Sequence, residues 1–272
     1  MKTFIQRTIT GFIFAVIVLG SIYLSHISFG IMFLLIIIFG LIEFYTLAEK
    51  SGISPQKITG IFLGSIIFIS NYLFVNLIPD YRVFLSIIPL ILIVFIIELY
   101  RKKDKPFGNI AYTFLGVLLV SLPFSLLNNF VFLTDAITDY NPNILFGFFF
   151  LIWIFDTGAY LFGVSFGKHL LFKRISPKKS WEGTIGGFIL CCCAGLFMTN
   201  IFPELNNIQW LIIAGITAVA GSFGDLAESL YKRQLDIKDS GKILPGHGGI
   251  LDRFDSIIFA SPAVYVFLEL IN

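Results

Sequence analysis

Three acidic side chains stand where an apolar chain tolerates them least. Asp156 closes the run Phe148-Phe149-Phe150-Leu151-Ile152-Trp153-Ile154-Phe155-Asp156, and Asp225 and Glu228 interrupt another long apolar stretch. A carboxylate near the middle of a spanning helix costs about 2.5–3.5 kcal/mol on insertion scales, so each needs a partner or a polar cavity. Asp225 and Glu228, three residues apart, share one helical face, and Lys232 follows one turn along it. The next apolar segment opens with Asp252-Arg253-Phe254-Asp255, again two carboxylates on one face. Oxygen ligands from two helices suit a hard cation such as Mg²⁺, which takes one or two carboxylates and completes its shell with water and phosphate oxygens. Two plainer accounts compete. Glu228 and Lys232 can form an ordinary i,i+4 ion pair, and an Asp at a helix N-terminus is favoured by capping and the macrodipole.

Two loops bring cations to the same helix ends. One reads Lys238-Asp239-Ser240-Gly241-Lys242-Ile243-Leu244-Pro245-Gly246-His247-Gly248-Gly249. Its glycines let backbone N–H groups approach phosphate oxygens, and Lys238, Lys242 and His247 supply charge or hydrogen bonds. It carries no Walker or dinucleotide fingerprint. The other runs from Gly167-Lys168-His169 through Lys173-Arg174 to Ser176-Pro177-Lys178-Lys179-Ser180-Trp181-Glu182-Gly183. Paired lysines beside an interfacial aromatic favour phosphate or headgroup contact for Lys178 and Lys179.

The elements that must position these residues follow from composition. Of 272 residues, 57% are hydrophobic and 13% charged, and a mean hydropathy of +0.89 lies outside the soluble range. Apolar runs long enough to span a bilayer predict nine helices, at 9–26, 29–48, 58–78, 82–100, 108–130, 144–165, 184–202, 207–231 and 254–271. The expected fold is an all-α polytopic membrane protein forming a single membrane domain over 1–272. Within it, helices in 1–130 carry no site motif and 144–272 carries the catalytic helices and loops. Nine crossings place 18 of the 19 Lys and Arg residues on one side and leave only Arg82 on the other. Cytoplasmic loops carry the Lys/Arg excess, so the N-terminus and the candidate site are expected to face the cytoplasm, with the C-terminus opposite. The expected location is a bacterial-type inner membrane.

Other features carry less. Glu43 and Glu98, near cytoplasmic helix ends, are expected to be partly solvated and without chemistry. Cys191, Cys192 and Cys193 are neighbours pointing about 100° apart on a helix and cannot converge on a metal. A net charge of +2 gives no argument for nucleic acid. Lys2 and Arg7 precede the first apolar run, but no small-residue cleavage site follows, so that run is expected to remain as the first helix. No internal repeat is visible.

The stretch from Ser229 to Asp255, S-L-Y-K-R-Q-L-D-I-K-D-S-G-K-I-L-P-G-H-G-G-I-L-D-R-F-D, resembles the signature of the phosphatidate cytidylyltransferase, or CDP-diacylglycerol synthase, family. Asp156 to Tyr160, Gly163, Gly167-Lys168, Ser176 to Gly183, Gly224-Asp225 and Glu228-Ser229 resemble a second conserved region of that family. Tyr231, where the signature has an aliphatic residue or Phe, and Ser180, where Thr is usual, are mild departures. The resemblance covers about 145–272. It implies transfer of CMP from CTP to phosphatidate with release of pyrophosphate, Mg²⁺ held by Asp225, Asp252 and Asp255, and a homodimer in the lipid bilayer.

On that basis Asp225, Asp252, Asp255, Lys232, Arg233 and His247 are the expected catalytic set. Lys178, Lys179, Lys238, Asp239, Gly248, Gly249, Arg253, Asp156 and Glu228 are the expected substrate contacts. The phosphatidate oxygen is already anionic near neutral pH and needs no dedicated base, so the expected work is neutralising and aligning two phosphates. The competing reading is a transporter of a phosphorylated solute. The D-G-x-x-A-R…G-x-x-x-D-x-x-x-D pattern of the CDP-alcohol phosphotransferases is absent.

Overall fold

The computed structural model describes residues 2–132, 140–237, 239–241 and 248–271, with side chains from Ile9 onward in the first helix. Among the described residues eight helices are long and apolar enough to cross a membrane, and a shorter apolar stretch, Ile9–Leu24, precedes them. Eight of the nine expected segments correspond to these helices with ends that differ by a few residues, and the first, 9–26, corresponds to the shorter stretch. The contacts divide the chain into two compact units.

The first unit comprises residues 1–140 together with the later segment Ile237–Arg253. Helix α1 (Lys2–Leu24) is parted from α2 (His26–Lys50) by Ser25, whose extended backbone breaks the helix while its hydroxyl accepts the Ser28 amide. Helix α3 spans Lys57–Asn76, and a 3₁₀ turn at Tyr81–Ser86 leads into α4 (Ile87–Arg101). The next crossing is built in pieces: α5 (Pro106–Gly116), a π turn (Val117–Ser121), α6 (Leu122–Leu126) and α7 (Asn128–Val131). Pro123 has no N–H to donate and its ring crowds the preceding turn, which the wider π turn accommodates. Tyr45 of α2 lies across Gly60 and Gly116, and its hydroxyl donates to the Thr113 carbonyl at 2.8 Å.

One end of this unit is tied by a buried polar network. Glu98, 5% exposed, accepts from Gln56 Nε2 (2.8 Å), Asn109 Nδ2 (2.7 Å) and Arg101 Nη1 (2.9 Å), while Arg101 also donates to the Ser54 carbonyl. Glu43 is equally buried. The expectation that both are partly solvated is therefore corrected: each is satisfied inside the protein by hydrogen bonds.

The second unit holds α8 (Asn143–Phe166), α9 (Trp181–Met198), α10 (Asn207–Gln234) and the part of α11 (Leu251–Ile271) from Phe254 onward. Helices α8 and α9 pack backbone to backbone: a Cβ at Gly187 would lie 2.8 Å from the Ala159 nitrogen, and one at Gly183 2.7 Å from the Ala159 carbonyl oxygen. Between them runs an antiparallel hairpin, β1 (Leu170–Phe172) and β2 (Ser176–Ser180), where only a loop is expected from sequence. Helix α9 begins at Trp181 rather than at 184 because Ser180 caps it, accepting the Gly183 amide. Asn206 and Gln209 form a capping box at the start of α10. Glu204, in the connection before it, accepts from Asn141 (2.9 Å) and Asn143. Burial pushes the Glu204 carboxyl up, but these amide bonds outweigh it and hold it below its ordinary value.

Candidate active site

In the second unit, three helices bring carboxylates within electrostatic reach of one another. Asp225 lies on α10, where the apolar face of the helix gives way to Ser222, Glu228 and Ser229. Its Oδ2 forms an ion pair with Lys179 Nζ, and its Oδ1 accepts from Ser229 Oγ at 3.1 Å. Asp156 of α8 lies within electrostatic reach of both Lys179 and Asp225. Asp255 of α11 feels Asp225, Asp156 and Lys232, and its Oδ1 accepts its neighbour's amide, Ser256 N, at 2.7 Å. Helix α10 approaches α11 so closely that a Cβ at Gly224 would collide with the Asp255 carbonyl. The residue beside Asp225 must therefore be glycine if the two acids are to adjoin.

The hairpin explains why two adjacent lysines differ. Successive strand residues face opposite ways. Lys179 turns to Asp225 with its side chain 28% exposed, while Lys178 is exposed. The hairpin is held at both ends. Glu182 accepts the Lys168 and His169 amides at 3.1 and 3.2 Å, and Arg233 Nε donates to the Ile175 carbonyl at 3.3 Å. Glu228 and Lys232 form the i,i+4 ion pair at 2.5 Å, both mostly buried.

The remaining candidates belong to the first unit. Asp252 Oδ2 accepts the Ser240 and Gly249 amides, both at 2.8 Å. Gly248 has φ +86°, and its missing Cβ would strike Asp252. Asp239 and Arg253 are exposed. Lys238, Lys242, Gly246 and His247 lie outside the described residues. The chief omission from the sequence pattern is Glu43, whose carboxylate receives Ser240 Oγ and the amides of Ile250 (2.7 Å) and Leu251 (3.4 Å). The rule that flags Asp156 could have flagged it, since an acid in an apolar span needs a partner.

Among the described residues no three acidic, histidine or cysteine side chains form a ready-made metal cage. The donor type is nevertheless the one a hard cation takes. Asp225 and Asp255 offer oxygens only, and the usual demand of Mg²⁺ is one or two carboxylates, with phosphate and water as the other ligands.

Long apolar helices carrying acids and lysines at one cluster define a class, polytopic all-α membrane proteins. Within it, the chain belongs to the cytidylyltransferase family, which matches residues 5–271. It is 40% identical over 185 residues to a phosphatidate cytidylyltransferase of Staphylococcus saprophyticus subsp. saprophyticus, covering 67% of this chain and 68% of that one. Phosphatidate cytidylyltransferases of Staphylococcus aureus (39% over 186 residues; 67% and 68% covered) and Staphylococcus epidermidis (39% over 184; 66% and 68%) are similarly related.

Proposed function

We propose that this protein transfers CMP from CTP to phosphatidate, forming CDP-diacylglycerol and releasing pyrophosphate, a reaction that accords with the name of its relatives, phosphatidate cytidylyltransferase. The observation that carries this reading is the meeting of Asp156, Asp225 and Asp255 with Lys179 in a chain of the cytidylyltransferase family. The transporter reading has no counterpart in that family match.

The chemistry follows from charge. The phosphatidate oxygen attacks the α-phosphorus of CTP, one P–O bond forms, and the bond to pyrophosphate breaks. Asp225 and Asp255 are proposed to hold Mg²⁺, which would supply neutralisation of the crowded phosphates and in-line orientation. The assignment of Asp252 to the cation rests on the sequence pattern, since its Oδ2 already serves two loop amides. Lys179, paired with Asp225, is proposed to exchange that carboxylate for a phosphate oxygen. Lys178, Lys232, Arg233 and Arg253 are proposed as further phosphate contacts, and the glycine-rich loop, with Lys238 and His247, as the contact to the CTP phosphates. Asp156 and Glu228 shape the local charge, and no general base is required.

The site is proposed to face the cytoplasm, where CTP is found, and the protein to act as a homodimer, which would show as a detergent particle holding two copies of the chain. Incubation of purified protein with CTP, phosphatidate and Mg²⁺ is expected to yield CDP-diacylglycerol and pyrophosphate one to one, and chelation to stop it. Consumption of CTP without that lipid product would overturn the reading.

A further inference from the structure

The β1–β2 hairpin carries more charge and more exposed apolar surface than the candidate active site uses. It leaves α8 at Gly167 and returns at Trp181, so it stands at one end of two helices long and apolar enough to cross a membrane. The helices are close together at that end, where a Cβ at Gly183 would lie 2.9 Å from the Gly163 Cα. On β1, beyond the end of α8, Leu170 and Phe172 are nevertheless 47% and 45% exposed, and Trp181 at the other foot is 53% exposed. Leu170 and Phe172 alternate with the less exposed Leu171, as side chains on one face of a strand do.

Cations surround these apolar residues. Lys168, Lys173, Arg174 and Lys178 are all exposed. Among the described residues, the lysine ion pairs of this unit join Lys179 to Asp225 and Lys232 to Glu228, and neither takes up those four charges. Glu182 is the only acid between Gly167 and Gly183, and it already accepts the Lys168 and His169 amides. The patch is also held in place, by Glu182 at its base and by Arg233 at the Ile175 carbonyl, so a partner meets it already ordered.

The bias that puts lysine and arginine in short loops asks for the cations but not for an exposed phenylalanine among them. A soluble phosphate would use the charges and leave the apolar side chains in water. A bilayer surface with anionic headgroups uses both, because lipid phosphates meet the cations while aromatic and aliphatic side chains enter the boundary beneath them. We propose that the hairpin docks on the anionic lipid surface of the membrane that α8 and α9 enter. Leu170, Phe172 and Trp181 are set into the headgroup boundary, and Lys168, Lys173 and Arg174 lie against lipid phosphates. The proposal does not depend on the transfer reaction, since its readout is where the hairpin lies rather than turnover.

The test uses the full chain with Cys191, Cys192 and Cys193 changed to alanine and an environment-sensitive fluorophore on Pro177→Cys. Position 177 is exposed and adjoins Ser176, the strand partner of Phe172. The protein is placed in nanodiscs of phosphatidylcholine, or of equal parts phosphatidylcholine and phosphatidylglycerol. Emission is expected to shift to the blue in the anionic nanodiscs and to return as salt is raised, because salt screens exposed charges. Lys173→Ser combined with Arg174→Ser should weaken docking about 25-fold, at about fivefold for each cation lost near an anionic surface. Phe172→Ser keeps the cations and should leave a salt-sensitive but smaller shift. Should either variant not fold, the parent protein decides, since inorganic phosphate added to the phosphatidylcholine nanodiscs must fail to reproduce the shift. Equal emission in the two lipids overturns the proposal, as does a shift produced by inorganic phosphate or a double variant that responds as its parent does.

Discussion

Lys179 and Asp225 each satisfy the other's charge, and both would be needed by ligands that the proposed reaction brings in. Asp225→Asn keeps the shape of the side chain, removes its charge and leaves Lys179 facing an amide. Turnover is expected to fall by about 100- to 1000-fold, the loss typical when one preorganised electrostatic group is removed, with the midpoint for Mg²⁺ activation moving to higher concentration. Normal turnover and an unmoved midpoint would take Asp225 out of the cation site. Lys179→Ala and Lys178→Ala form a matched pair, because β2 points the first toward Asp225 and leaves the second exposed. Steady-state kinetics should show the larger loss for Lys179→Ala, and an inverted order would mean that the ion pair is not the group engaging phosphate. The sequence pattern groups these lysines together, and their divergence became visible only with the strand. Ser-Pro-Lys-Lys-Ser lacks the β-branched alternation that announces strands, and Pro177 is tolerated there because the ribbon has only two strands.

Helices position these residues through close packing at glycine. Along α9, Gly183 and Gly187 are one turn apart, and both face the α8 backbone around Ala159, three residues beyond Asp156. Gly187→Val sets a Cβ 2.8 Å from the Ala159 nitrogen and 2.9 Å from the Phe155 carbonyl oxygen, backbone atoms that cannot rotate away. Overpacking of this kind typically costs about 1–3 kcal/mol. A lower melting temperature in detergent is expected, accompanied by loss of turnover because α8 carries Asp156; a variant as stable and active as wild type would show that the helices are free to separate. At this scale the sequence was largely legible. Runs of about 20 apolar residues set the number and order of the helices, and errors lay at their ends, where caps such as Ser180 extend a helix into its polar flank. Glu43 was not legible as a loop anchor, because its partner Ile250 lies 207 residues further along the chain and no local spacing links them.

For the whole molecule the open quantity is sidedness, and the charges argue it most directly. In the first unit, the Arg101 guanidinium reaches the Ser54 carbonyl, so the α2–α3 connection and the end of α4 share one end of that unit. Lys50, Lys57, Lys102, Lys103 and Lys105 flank the same two connections. The α3–α4 connection has only Arg82, which faces its neighbour Asp80 across 3.7 Å. Holding the basic end on the cytoplasmic side agrees with the bias that governs short loops, and it is the side from which CTP can be drawn. The test needs two single cysteines in a background with Cys191, Cys192 and Cys193 changed to alanine. Pro79→Cys and Lys103→Cys both place a thiol at an exposed position. In intact spheroplasts a membrane-impermeant maleimide should label the cysteine at 79 and spare the one at 103, and in inverted vesicles the pattern should reverse. Labelling of position 103 from outside would overturn this orientation of the first unit. The basic end of the first unit would then face away from the cytoplasm, against the bias that governs short loops.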